Sequence, residues 1–317
     1  MSRVCLLLPD WTRCVASEVV ARGSLSEWCA RADRLEPGAG GFAAAVREVL
    51  PWGGSPLPAA ALSRQIDVGD AADSAWLRAD PAYVRADMVT ARMLACGELG
   101  LTDEESAGLA RELMPLFGDA GFELDARFSN RWYLRAAIGS DLPACASPDE
   151  AMGDDLKLHL PQGAAGKRWR QLFNDSQIIL HNHPVNAQRA ARGAVSVNSL
   201  WFWGAGVLPV SVRGGFERIF SDGLELRGLA QIAGIPRQSL ELKSLQAQLS
   251  ESGNGDLLID LTGLRNDLLE SSLRTIDNAL RRGHVRGADL LFASGQRYRL
   301  QSLHRLRFWR RISELRC

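Results

Sequence analysis

Apolar residues recur along this chain in two patterns, as short continuous runs and as stripes at helical spacing. The run at residues 4–8 and the run 257–259 within the segment 256–261 are short and bounded by polar or loop-forming residues, which is typical of buried strands in a parallel sheet. Leu109, Leu113 and Leu116 repeat at the spacing of a helix face. Because strands alternate with helices at both ends of the chain, we expect the two ends to share one sheet, with the middle inserted or packed against it.

Local signals place the remaining elements. Strands are predicted at residues 122–126, 131–136, 194–203, 288–294 and 297–300, and helices at 42–50, 102–118, 167–182, 187–192, 224–235, 240–249 and 264–282. Thr102 and Glu105 form a capping box where the helix at 102 begins. The segment Gly204-Ala205-Gly206 predicts the end of the strand that precedes it. The expected fold class is α/β, a single domain over residues 1–317 with a mixed, mostly parallel sheet flanked by helices, and residues 64–160 as an inserted or packed subregion.

Composition narrows the class of protein. The 317 residues are 46% hydrophobic and 23% charged, which argues against a disordered chain. The 37 basic residues balance 37 acidic ones, which argues against a nucleic-acid coat or a polybasic membrane anchor. The opening apolar run is too short for a signal peptide or a membrane span. We therefore expect a cytoplasmic protein with no membrane partner.

Neither the cysteines nor any known nucleophile motif points to a specific reaction. No two of the six cysteines are spaced as C-x-x-C, so they are predicted to be free rather than ligands of zinc. No G-x-S-x-G and no Walker loop occurs. Gly204-x-Gly206 lacks the third glycine of a dinucleotide-binding loop, since Pro209 stands at that position. No metal and no other cofactor is expected.

The densest group of polar and aromatic side chains lies at residues 174–206. Arg189 and Arg192 are three positions apart and share a helix face, so the pair suits a phosphate or carboxylate. Two amides would orient the ligand, two histidines would donate hydrogen bonds, and two tryptophans would line the cleft. The predicted ligand-binding residues are His181, His183, Asn186, Arg189, Arg192, Asn198, Trp201 and Trp203.

Other interpretations of this group stay open. His181-x-His183 suits a metal ion, but a third ligand is not plainly supplied. The arginine pair suits ion pairs on a solvated face equally well. Trp201 and Trp203 suit the core as well as a cleft wall.

The same run resembles a known family. Within residues 174–206 stand His-x-His-Pro-Val-Asn, Arg-x-x-Arg-Gly and Val-Asn-Ser-Leu-Trp-x-Trp-Gly-x-Gly. Together with the opening Leu-Leu-Leu-Pro-Asp and the closing Arg-Phe-Trp-Arg-Arg at 307–311, they resemble the RpfE family of bacterial regulatory proteins over nearly the whole chain. The resemblance implies a regulatory role in the production of extracellular enzymes and pathogenicity factors, which would involve a protein partner.

That family is distantly similar to the archaeal type of cofactor-independent phosphoglycerate mutase, in the alkaline-phosphatase superfamily. The shared features are an Asn before a Trp-rich strand, Gly-x-Gly, and Leu-Arg-Gly-Leu at 226–229. The similarity implies an alkaline-phosphatase/phosphoglycerate-mutase-like fold. It also implies a core that binds a small anion such as a phosphoglycerate.

The metal chemistry of such mutases needs an early Asp-Gly, a Ser or Thr nucleophile, and late Asp and His ligands. Here Asp10 is followed by Trp11, Thr12 is the nearby hydroxyl, and the late segment 260–263, Asp-Leu-Thr-Gly, has no histidine. We therefore expect anion binding without catalysis.

One alternative is an active phosphoglycerate mutase or phosphoesterase. The other is a protein- or nucleic-acid-binding module built on residues 281–316, which hold ten arginines and two acids; a basic segment without a known motif makes nucleic acid the weaker partner.

Overall fold

The computed structural model describes residues 2–54, 56–250, 255–307, 309 and 310 of an α/β protein with two sheets. The strands are β1 (Ser2–Leu8), β2 (Asp33–Arg34), β3 (Ala75–Ala86), β4 (Ala91–Cys96), β5 (Glu123–Phe128), β6 (Arg131–Ala136), β7 (Ser199–Val207), β8 (Phe216–Phe220), β9 (Arg237–Gln238), β10 (Asp256–Asp260), β11 (Val285–Phe292) and β12 (Arg297–Gln301). The α-helices are α1 (Trp11–Ala16), α2 (Glu18–Ala21), α3 (Ser24–Arg31), α4 (Phe42–Val49), α5 (Ala59–Asp67), α6 (Asp103–Asp119), α7 (Pro148–Ala151), α8 (Gly163–His181), α9 (Pro184–Ala191), α10 (Leu224–Ala233), α11 (Leu242–Ser250) and α12 (Asn266–Arg281). Leu156–Leu158 and Ser302–Leu306 form 3₁₀ helices.

The chain divides into two compact units. The first unit comprises Met1–Gly53 and Pro209–Cys317, and the second comprises Gly54–Leu208. The predicted subregion at 64–160 lies inside the second unit. Each unit has its own sheet and its own hydrophobic core.

The first unit is built on a seven-stranded sheet in the order β2-β12-β11-β1-β10-β8-β9. β1 lies at its centre and pairs in parallel with β10 and β11, so the two ends of the chain share one sheet, as predicted. β12 and β2 continue the sheet in antiparallel pairing, which makes it mixed and mostly parallel. Alternate residues of β1 join a core with side chains from α3 and α12, among them Leu25 and Leu273. Such burial on the sheet faces explains the continuous apolar runs in the sequence.

The second unit is built on an antiparallel sheet in the order β4-β3-β6-β5, with β7 paired to β3 as well. Its core includes Leu109 and Leu113 from α6, Trp169 from α8 and Trp201 from β7. The predicted capping box of α6 is confirmed. The backbone N–H of Glu105 donates to the Thr102 hydroxyl at 3.2 Å, and the Thr102 N–H donates to Glu105 Oε2 at 3.0 Å.

Most predicted helices and strands are confirmed within a few residues, with one clear exception. β7 begins at Ser199 and continues to Val207, so the predicted strand start at 194 and the predicted break at 204–206 are wrong. Gly204 and Gly206 stay in the strand with φ of 68° and 156°, conformations that glycine adopts without a steric penalty. The helix α5 was not predicted.

The five cysteines at positions 5, 14, 29, 96 and 145 are free, as their spacing predicts. A search of the described helices found none with the length and apolar character needed to span a bilayer.

Candidate functional site

Polar side chains gather at one edge of the parallel sheet in the first unit. The strands β11, β1, β10 and β8 run parallel, so their carboxyl ends meet at this edge. In open α/β sheets ligands bind outside the carboxyl ends of the strands. The side chains that follow these ends are Asp10, Thr12, Ser221, Asp222, Asp260, Thr262 and Ser294, and we refer to them as the carboxyl-edge cluster.

Asp260, the last residue of β10, is the best connected of these groups. Its Oδ2 accepts a hydrogen bond from the Ser221 hydroxyl at 2.8 Å. Its Oδ1 accepts from the hydroxyl and the backbone N–H of Thr262, at 2.6 Å and 3.1 Å. Burial raises the pKa of the Asp260 carboxyl, while the hydrogen bonds from Thr262 and Ser221 oppose the rise. A carboxyl of raised pKa between two hydroxyls suits proton transfer.

Asp10 follows β1 and is exposed. Its Oδ1 accepts from the backbone N–H of Thr12 at 2.8 Å and from the Thr12 hydroxyl at 2.7 Å, so Asp10 caps the short helix α1. Arg13 reaches from this helix to the loop after β10 and donates to the carbonyl oxygens of Thr262, at 2.8 Å, and Leu264. The segments that contain Asp10 and Asp260, both singled out in the sequence, are therefore linked at one edge of the sheet.

Sequence reasoning missed three residues of this cluster, Asp222 and two serines. The Ser294 hydroxyl accepts a hydrogen bond from the backbone N–H of Trp11 at 2.8 Å. Ser221 is fully buried, and its Oγ accepts from the N–H of Gly223 at 3.0 Å. Each serine lies one or two positions beyond the end of a parallel strand, β11 or β8, and that position was the available signal.

The two-metal site implied by the mutase resemblance does not fit these residues. The described residues contain no group of three or more His, Cys, Asp and Glu placed to hold a metal ion. The histidines of the first unit, His284 and His304, lie at the opposite edge, because His284 precedes β11 and His304 follows the antiparallel strand β12. Both oxygens of Asp260 already accept hydrogen bonds. We therefore derive no chemical step through a metal ion here.

The residues predicted to bind an anion lie in the second unit, where Arg189 is fully buried. Its Nη1 donates to Glu105 Oε2 at 2.8 Å, its Nη2 to the Leu99 carbonyl at 2.6 Å, and its Nε to the Val195 carbonyl at 2.8 Å. Arg192, which is half exposed, donates to the other oxygen of Glu105 at 2.6 Å. The structure thus brings the two arginines together, on a carboxylate of the protein itself.

The predicted amides are also bonded to the backbone. Asn186 donates to the carbonyls of Leu180 and Val197, at 2.7 Å and 2.8 Å, and accepts from the Val197 N–H at 2.8 Å. Asn198 bonds the N–H and the carbonyl of Val84 in β3, at 2.8 Å and 2.7 Å. Together these contacts fix the chain between α9 and β7 to its neighbours.

The predicted histidines lie around the start of α9. His183 caps this helix, because its Nδ1 accepts from the N–H of Val185 at 3.2 Å. His181 is exposed at the last residue of α8. As an anion site the eight residues stay a prediction, and a ligand that used Arg189 would have to displace Glu105.

Of the two predicted tryptophans, Trp201 belongs to the core of the second unit and Trp203 is partly buried against it. Trp201 is buried in the core and donates to the Ala146 carbonyl at 3.0 Å. Trp203 donates to Asp80 Oδ2 at 2.7 Å, beside the bidentate pair of Asp80 with Arg78. Burial raises the pKa of Asp80, against the charge of Arg78 and the hydrogen bond from Trp203.

Sequence comparison finds known proteins that match parts of this chain. No family model matches the chain. It is 40% identical over 62 residues, 20% of this chain, to a probable 2,3-bisphosphoglycerate-independent phosphoglycerate mutase of Geobacter sulfurreducens. It is 26% identical over 225 residues, 66% of this chain, to the 2,3-bisphosphoglycerate-independent phosphoglycerate mutase of Methanosarcina mazei. These matches span 16% and 55% of the two relatives, less than two thirds of either.

Among solved structures, the chain is similar to the cofactor-independent phosphoglycerate mutase of Thermoplasma acidophilum. That comparison covers 95% of this chain and 90% of the mutase, at 14% identity and a TM-score of 0.41. The sequence matches show similarity to 2,3-bisphosphoglycerate-independent phosphoglycerate mutases over part of the chain.

Proposed function

We propose that this chain is a mutase-related protein that binds a small phosphorylated acid of the phosphoglycerate type and does not turn it over by metal-dependent phosphoryl transfer. The ligand class comes from the relatives, whose names are those of phosphoglycerate mutases. The observation that carries the proposal is the donor set of the carboxyl-edge cluster. Its carboxylates bind hydroxyls and backbone N–H groups, and the histidines of the same unit lie at the other edge. Without a metal ion, phosphoryl transfer lacks its main source of charge stabilisation.

Thermal unfolding with and without ligand tests the binding half of this proposal. A ligand that binds only the native state raises the melting temperature by mass action. We expect 3-phosphoglycerate at millimolar concentration to raise it, and inorganic sulfate at the same ionic strength to raise it less. No rise with 2-phosphoglycerate or 3-phosphoglycerate would contradict the binding of this ligand class.

A coupled mutase assay with Mn²⁺ and Mg²⁺ tests the catalytic half. We expect no turnover above the background of a heat-denatured sample. The second candidate function, an active mutase, is favoured by the same sequence matches and by Asp260, whose raised pKa suits acid–base work. Metal-dependent turnover that disappears in Asp260→Asn would establish that second function.

The binding residues belong to the proposal as well. Of the two predicted arginines, Arg192 is the accessible one. If the eight-residue motif is the site, Arg192→Ala abolishes the rise in melting temperature with 3-phosphoglycerate. Arg111→Ala, which changes an exposed arginine on α6, is the matched control and should keep it. If the melting temperature of both variants still rises with 3-phosphoglycerate, the binding site lies outside the motif.

The RpfE resemblance adds a cellular role, which we propose to be control of extracellular enzyme production. Binding of a central metabolic acid without turnover would suit a sensor of that acid. Deletion of the gene in its bacterial host should lower secreted enzyme activity, and complementation should restore it. A binding-deficient variant that complements fully would separate the regulatory role from the ligand.

A further inference from the structure

Besides the carboxyl-edge cluster, the first unit holds a cavity near the starts of α11 and α12. Its volume is about 320 Å³, within the range of pockets that bind small molecules. The cavity adjoins the carboxyl-edge cluster, because the N–H of Leu240 donates to Asp222 Oδ2 at 3.3 Å and the carbonyl of Leu264 accepts from Arg13. We call it the leucine cavity, since its lining includes Leu240, Leu242, Leu264 and Leu268.

The interior of the leucine cavity suits an apolar group. Ser272 lines it and is buried, and its hydroxyl donates to the Leu268 carbonyl at 2.8 Å, so this hydroxyl is already paired. Leu268 is 40% exposed and presents apolar surface that a ligand can cover. Because the burial of apolar surface is favourable, the leucines would hold the apolar part of a ligand.

Two charged side chains of opposite sign also line the cavity, Glu241 and Lys243. Both are exposed, which places them at the open side of the cavity. Within the part of the chain that the structure describes, neither side chain makes a hydrogen bond or an ion pair. Each charge is therefore available to a ligand, and the cavity offers one anion and one cation beside an apolar interior.

A complementary ligand carries a cation and an anion close together and an apolar body. We propose that the leucine cavity binds a free α-amino acid with an apolar side chain, such as leucine. The ammonium group of the ligand pairs with Glu241, its carboxylate pairs with Lys243, and its side chain packs on the leucines. A phosphoglycerate has neither an ammonium group nor an apolar body, so this site is separate from the ligand of the proposed function.

Other occupants match these groups less well. A simple anion would pair with Lys243 but would be repelled by Glu241, since like charges at close range are unfavourable. A fatty acid or an apolar amine would leave one of the two charges without a partner. A folded protein needs roughly 800 Å² of surface on each side of a stable interface, which the few residues around this cavity do not provide.

Isothermal titration calorimetry of the full chain tests this proposal with L-leucine and three analogues. Isopentylamine is leucine without its carboxylate, 4-methylpentanoate is leucine without its ammonium group, and glycine keeps both charges without the apolar side chain. We expect L-leucine to bind, and each analogue that lacks one charge to bind about fivefold more weakly, the effect of one exposed ion pair. Glycine should show no binding. No binding of L-leucine, or equal binding of L-leucine and any analogue, overturns the proposal.

Two variants and a matched control locate the contacts. Lys243→Ala should weaken the binding of L-leucine about fivefold and leave that of isopentylamine unchanged, because this amine has no carboxylate. Glu241→Gln should weaken L-leucine likewise and should not weaken 4-methylpentanoate. Lys167→Ala removes an exposed lysine from α8 and should bind L-leucine as the wild type does. All three side chains are exposed, so the variants should keep the wild-type melting temperature. An equal loss in Lys167→Ala, or no loss in Lys243→Ala and Glu241→Gln, overturns the proposal.

Discussion

At the scale of single residues, Glu105 shows how one buried carboxylate organises the second unit. It accepts from the Thr102 N–H, from Arg189 and from Arg192, and so ties the start of α6 to α9. Breaking a buried ion pair costs about 3–5 kcal/mol, and loss of Arg189 would also take a donor from the Leu99 and Val195 carbonyls. We expect Arg189→Ala to lower the free energy of unfolding in urea by this amount. Arg192→Ala, at a half-exposed position, should lower it by less than about 1 kcal/mol, and equal effects would contradict a structural role for Arg189.

The pH dependence of the same carboxylate is a second prediction. Burial alone would raise the pKa of Glu105, but the hydrogen bonds from Thr102 and Arg192 and the charge of Arg189 hold it below its ordinary value of 4.5. A lowered pKa in the folded state adds stability above the unfolded value, and that stability is lost as the pH falls through the folded one. The stability gap between wild type and Glu105→Gln should therefore be constant at neutral pH and shrink below pH 4.5. Urea unfolding at pH 7, 5, 4 and 3 measures it, and a gap that widens in acid would exclude this explanation.

The residue scale is also where sequence reasoning reached its limit. The spacing of Arg189 and Arg192 on one helix face could be recognised from the sequence, and in the structure both donate to the carboxylate of Glu105. Their partner Glu105 lies 84 positions before Arg189, and the Leu99 carbonyl lies 90 before it. Such distant partners leave no local signal, so a buried ion pair and an exposed anion site share one pattern. Asp10 and Asp260 were easier to identify from the sequence, because their position at the end of a predicted strand is a local property.

At the scale of elements, close packing explains the glycines of β7. A Cβ added to Gly204 would lie 2.9 Å from the Ala59 Cβ and 3.1 Å from the Ala60 nitrogen in α5. We expect Gly204→Ala to destabilise the protein by about 1–2 kcal/mol for its φ of 68°, plus about 1–3 kcal/mol for overpacking. Gly100→Ala has a similar φ of 63° and open space around it, so it should show the first contribution only. Equal destabilisation of the two variants in thermal unfolding would count against packing as the reason.

Elements with strong local signals were predicted well, and the others were not. The capping box of α6 and the apolar runs of β1 and β10 depend on neighbours in sequence, and each was confirmed. The strand β7 continues through two glycines because it pairs with β3 from Ser199 to Val207. That pairing joins segments more than a hundred positions apart, and glycine alone indicates a break. The helix α5 follows a segment rich in proline and glycine, whose composition favours a loop.

At the scale of the whole molecule, the second unit is one continuous segment with its own sheet and core. We expect residues 54–208 expressed alone to fold, with a cooperative thermal transition in circular dichroism. The segment 64–160, the subregion that the sequence suggested, lacks α8, α9 and β7 and begins inside α5. It would lose Trp169, Trp201 and the strand that pairs with β3, and should unfold without a cooperative transition. Cooperative folding of the shorter segment, or none of the longer, would show that the domain boundary lies elsewhere than Gly54 and Leu208.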